Sequence, residues 1–129
     1  MNLLLDIITY LNSRAIVLGD GIDCFRDSSP ETPDNVITFL EYSGGRSQPG
    51  IDCVDRYVQI QIRNTSYEGS RLLAMRIYNE LNRPTDPIMF LTGVRWAVIN
   101  GKASPVRLRQ DTNERTIFYC ELKVTTFND

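Results

Sequence analysis

Apolar positions change their period along this chain, and each change marks an element. Leu4, Leu5, Ile8 and Leu11 recur at spacings of three and four before Asn12 and Ser13, which predicts an amphipathic helix over residues 2–12. Residues 35–42 (NVITFLEY) switch to period two, with Val36, Leu40 and Tyr42 on one face and Ile37 and Phe39 on the other, so this strand has to be covered twice. Residues 56–63 (RYVQIQIR) alternate cleanly: Val58, Ile60 and Ile62 turn inward, while Tyr57, Gln59, Gln61 and Arg63 turn outward. Thr65 and Glu68 then stand in capping-box relation before a helix to about Asn82. Its stripe is Leu73, Ala74, Ile77, Tyr78 and Leu81, its wet side is Arg71, Arg76, Glu80 and Arg83, and Pro84 closes it.

The last third returns to strands. These are expected at 88–99 (one strand, or two broken at Gly93), at 104–109, and at 115–125, where Phe118, Cys120, Leu122 and Val124 share a face and Asn113 supplies the preceding hairpin turn. Residues 19–34, rich in Gly, Asp, Ser and Pro, read as loop with one short edge strand at Ile22, Cys24 and Phe25. Ser43 to Gly50 (SGGRSQPG) reads as a long excursion between strands, either a loose tip or a grip for a partner, with Gly44, Gly45 and Arg46 as its candidate contact residues.

Two amphipathic helices cannot close a core alone, but laid on a sheet they can. The expected architecture is α+β: one domain, residues 1–129, with a mainly antiparallel sheet of four to six strands and two helices packed on one face. The other face would then carry Ile37 and Phe39 and need cover from a neighbouring subunit.

Composition narrows the chemistry. The chain has 129 residues, 42% apolar and 23% charged, as an ordinary globular domain does, and its net charge of -2 argues against binding nucleic acid by bulk electrostatics. Charge is unevenly placed: nine acids against three bases in residues 1–55, five bases against two acids in 56–83. Acidic and basic faces of this kind suit subunits that meet head to tail in a ring, and equally a mixed solvated surface. Arginine makes up twelve of the fourteen bases, a bias towards bidentate pairing. Arg107 and Arg109, alternating on one strand, are candidates for an interface or DNA-facing role.

There is no histidine, which removes Ser-His-Asp and Cys-His catalysis and the usual histidine zinc sites. Cys24, Cys53 and Cys120 are an odd number without a CxxC pair, so reduced thiols are expected and no metal site. Gly19 and Gly21 begin a GxG that no helix follows, and read as a turn. The acids Asp20, Asp23, Asp27, Glu31 and Asp34 match no calcium-loop spacing. The first residues make a poor signal peptide, and no stretch is apolar enough to span a membrane, so a soluble protein made in a cytoplasm is expected.

In order, the short N-terminal helix, Glu41-Tyr42-Ser43-Gly44-Gly45 before a loop, an alternating strand ending at Arg63, Tyr67-Glu68 opening a helix that closes with Ile77-Tyr78-Asn79-Glu80-Leu81, and Ser104-Pro105 leading through Arg109-Gln110-Asp111 to a terminal strand make a pattern. It resembles the minor capsid and tail-terminator (head-tail joining) family of tailed phages, over nearly the whole chain. The resemblance implies a structural virion protein of the tail or neck, assembled in the host cytoplasm, with no enzyme activity and no cofactor. It implies a ring, hexameric, that stops the tail tube from growing and joins it to the head. Its partners would be copies of itself, the tail tube protein and a head-completion or connector protein, with DNA only passing through the lumen. The alternatives are a connector or other minor capsid protein and, from a different class, a small ligand-binding protein or enzyme.

Overall fold

The cleanest alternations in the sequence become the middle of a sheet. A computed structural model describes residues 2–46, 53–90 and 95–127. Its elements are helix α1 (Leu3–Ser13), strands β1 (Cys24–Arg26), β2 (Val36–Arg46) and β3 (Cys53–Asn64), helix α2 (Tyr67–Leu81), and strands β4 (Arg83–Phe90), β5 (Arg95–Gln110) and β6 (Thr116–Phe127). The strands form one six-stranded sheet in the order β1-β2-β3-β6-β5-β4, antiparallel throughout except that β1 runs parallel to β2. The fold is α+β, as the pattern requires.

β3 and β6 pair with Val58, Ile60 and Ile62 opposite Leu122, Cys120 and Phe118, so their inward rows fuse into one apolar surface. Helix α2 lays Ala74, Ile77 and Leu81 on it, and Ser70 Oγ donates to Ile62 O (2.9 Å) from the same face. Helix α1 touches β1 and β2 at one edge of the sheet and β4 at the other, so the sheet curls around it. Both helix starts are capped. Asn2 Oδ1 accepts from Leu5 N (3.1 Å), and Ser66 Oγ accepts from Gly69 N (3.0 Å). The second cap lies one residue after the expected Thr65, and Glu68 pairs with Arg71 instead of closing a capping box.

Glu80 joins the helices. Its Oε1 accepts from Tyr10 OH (2.9 Å) and from Arg14 Nε (2.7 Å), with Arg83 Nη2 at 3.4 Å. Burial alone would raise the Glu80 carboxyl, but the bonds from Tyr10 and Arg14 and the two guanidinium charges outweigh it and hold its pKa below the usual value. A depressed carboxylate stabilises the fold above its unfolded pKa and loses that contribution as pH falls through the folded one. Glu80→Gln is therefore expected to cost ~1 kcal/mol or less at pH 7, seen as a lower Tm, given the exposure of Arg14, and to leave Tm unchanged near pH 2. Thermal melts across that range check it; an equal loss at both ends would contradict the linkage.

The structure corrects two strand expectations. Residues 95–99 and 104–109 belong to one strand, because β5 passes through Gly101 and Pro105 by register shifts on β6. β4 begins at Arg83, since Pro84 and Pro87 are tolerated in an edge strand whose register on β5 shifts between Arg83 and Ile88. The hairpin turn between β5 and β6 falls where expected, around Asn113; Asp111 N to Arg115 O (2.9 Å) closes it, and Glu114 takes a positive φ of 62°.

Gly101 is a packing requirement. A Cβ there would lie 1.8 Å from Tyr78 Oη, and Gly101 N donates to Asn82 Oδ1 (2.8 Å), so strand and helix meet at contact distance. Gly101→Ala is expected to cost ~1–3 kcal/mol by displacing the tyrosine ring. Denaturant melts should show the loss, and Tyr78→Leu in the same chain should recover part of it.

Candidate assembly surfaces

The Ile37 and Phe39 expectation is the first the structure overturns. Register places Ile37 opposite Ile62 and Phe39 opposite Ile60, on the face that the helices cover, where they are 2% and 0% exposed. They are core, unavailable to a neighbour. The strand is indeed covered twice, but both covers come from this chain. On its other face Val36 and Thr38 are buried where the 27–35 segment folds over, with Ser29 and Thr38 hydroxyls hydrogen-bonded.

Two buried arginines hold that segment down. Arg63, expected to face solvent, points its guanidinium into a ring of carbonyls: Asp34 O (3.0 Å), Pro30 O (2.8 Å), Pro33 O (2.7 Å) and Glu31 O (3.4 Å). Arg115 reaches Asp111 Oδ2 (2.8 Å), Glu31 O (2.7 Å) and Glu31 Oε1 (3.1 Å), with Asp34 Oδ1 at 3.4 Å. Burial, and then the nearby Arg115 charge, lower the Arg63 pKa. For Arg115, burial works the same way, but Asp111, Glu31 and Asp34 overcome it and its pKa is raised. Sequence reasoning missed this clamp. The only hint was an arginine at the end of a clean alternation.

The clamp also accounts for the acidic segment. Glu31 and Asp34 serve Arg115; Asp20 forms a two-bonded pair with Arg26; Asp23 caps Leu18 N and Gly19 N. Gly19 and Gly21, with φ of 142° and 81°, make the turn that the broken GxG suggests. Among the described residues no three acids or cysteines gather as a metal site would need, and no helix is long and apolar enough to cross a membrane. The three cysteines are buried free thiols, with Cys120 pushed up to about 12 by burial and then by Glu121.

The uncovered sheet face is wet, which corrects the expectation of an apolar patch there. Gln61 Nε2 donates to Gln59 Oε1 (2.8 Å), and Gln59 Nε2 and Tyr42 OH converge on Glu121 Oε1 (3.3 and 3.4 Å). Farther along, Thr125 Oγ1 donates to Asp55 Oδ1 (2.6 Å), and Lys102 Nζ stands 4.5 Å over the Tyr57 ring. The remaining candidates lie at strand ends. Gly44, Gly45 and Arg46 are not loop: β2 continues through an irregularity after Tyr42, with Gly45 opposite Asp55 and Arg46 opposite Val54. The rest of that stretch, 47–50, lies outside the described residues. Arg107 and Arg109 do not point the same way, because a register shift between them sets Arg107 opposite Phe118 and Arg109 opposite Ile117, on opposite faces.

A family model described as bacteriophage tail terminator protein matches residues 10–126. The chain belongs to the bacteriophage tail terminator family. That match takes in β1 to β5, all but the last residue of β6, α2 and part of α1. No curated protein matches the sequence of this terminator. As a member of that family it is a component of the phage tail, and the exposed arginines and strand edges belong to a structural protein.

Proposed function

We propose that this tail terminator closes into a ring, hexameric, on the head-proximal end of the tail tube, stops the tube from growing and offers the surface to which the filled head docks. The observation that carries the reading is the family match across residues 10–126. The role is structural, without catalysis or cofactor. The partners are copies of the same chain, the tail tube protein below and a head-completion or connector protein above, and DNA meets the ring only in passing through its lumen. Termination is a matter of symmetry: heterologous contacts that close on themselves present no further site, whereas a tube that stacks ring on ring has no end.

Tails assembled in the host without this protein test the reading. Overlong tubes are expected. Tubes of normal length that fail to join heads would instead make it a connector, and normal infectious particles would refute both.

A further inference from the structure

The sheet is stepped at both edges. β1 accompanies β2 only along Ile37–Phe39, so among the described residues Leu40–Arg46 pair on one side alone, with β3. β4 accompanies β5 only as far as Ile99, so Asn100–Gln110 pair on one side alone, with β6. The two steps lie at opposite ends of the sheet, since the row of Glu41 runs through Val58 and Leu122 to Gly101. One step is therefore the complement of the other.

Direction and charge agree with shape. β2, β3, β6 and β5 alternate, so β2 and β5 run in opposite directions. A second copy brought up by rotation about a ring axis would set its β2 antiparallel to the first copy's β5. Residues 100–110 hold Lys102, Arg107 and Arg109 and no acid. Arg107 and Arg109 are exposed and make no ion pair among the described residues, and Val106 and Leu108 beside them are 44% and 43% exposed. At the β2 step the exposed acids are Asp27 and Glu41, in the wall of a groove of about 360 Å³ at the start of α1 that Arg26, already paired with Asp20, and Arg56 also line; the two acids have no ion partner among the described residues. The neighbouring acids Asp20, Glu31 and Asp34 are already taken within the chain.

We propose that the β5 edge of one copy, Ala103–Gln110, adds as an antiparallel strand to the β2 edge, Leu40–Arg46, of a second copy, with Arg107, which shares the helix-covered face with that groove, meeting Asp27 and Glu41. The contact is heterologous, as a ring requires, and rests on the ring reading above. Main-chain bonds supply attachment and the charge pairs select the register. To bring Glu41 level with Arg107, which shares a row with Ile37 through Phe118 and Ile62, the copies slide by about four residues, roughly 13 Å along the strands. The strands accordingly tilt to the ring axis, as those of a closed sheet must.

The test uses the full chain, alone and with isolated tail tubes, by native mass and sedimentation. Arg107→Glu and Asp27→Lys/Glu41→Lys are each expected to weaken association at least ~100-fold through like-charge contact, with circular dichroism and Tm as in the wild type. Combining all three changes should restore assembly to within about tenfold of wild type. Should either reversal unfold the chain, Arg107→Gln decides instead, with about a tenfold loss expected. Wild-type rings that neither reversal nor neutralisation weakens overturn the strand-edge contact alone. A wild-type chain that stays monomeric in solution and on tubes overturns the ring and this contact together.

Discussion

Phe39→Ala is expected to remove about 3–5 kcal/mol from the stability of the folded chain. The side chain is fully buried beside Ile60 and Cys120 under the helices, so its loss leaves a cavity that neighbours on three strands can close only in part. In a domain held by ~5–15 kcal/mol, that is a large share of the total. Chemical denaturation at two protein concentrations tenfold apart measures it. The same loss at both concentrations places Phe39 inside the chain's own core. A loss that appears only where the chain is assembled would make it a subunit contact after all, and would sink the core placement.

Arg63→Leu is expected to cost ~2–3 kcal/mol, because four main-chain carbonyls of the 30–34 turn lose a charged donor at a site with little access to water. The effect should be local first. Amide exchange over residues 27–35 should accelerate by more than the global loss of stability accounts for, since Arg115 alone must then hold the segment. Arg63→Lys should recover less than half of the loss, for a compact ammonium on a flexible stem cannot address carbonyls spread around a planar fork. Exchange that stays as slow as in the wild type, or full recovery by lysine, would show that the carbonyls have other donors.

These two residues also show where the sequence was informative and where it stopped being so. Strands β3 and β6 and helix α2 were legible because one face of each is apolar and the other polar, which leaves a single way to turn them. β2 was not. With apolar groups on both faces, its orientation depends on whether Ile37 aligns with Ile62 or slips by one residue, and that register is a long-range fact. Arg63 carried the opposite ambiguity: its place in the alternation is the outward one, and only the chain folding back over it makes that position a buried one. Pro84 read as the close of a helix, and residues 100–103 as a gap between strands; an edge position takes up the proline, and register shifts on β6 carry β5 through the gap. Among the candidate contact residues, Arg107 and Arg109 were found as exposed, though not on one face, while Gly44 to Arg46 proved to be strand.

The hydrogen-bonded Tyr42, Gln59 and Gln61 of the uncovered sheet face have one more implication. A broad surface whose polar groups already meet one another offers neighbouring copies little to clump by, so the purified chain is expected to stay free of amorphous aggregate at high concentration.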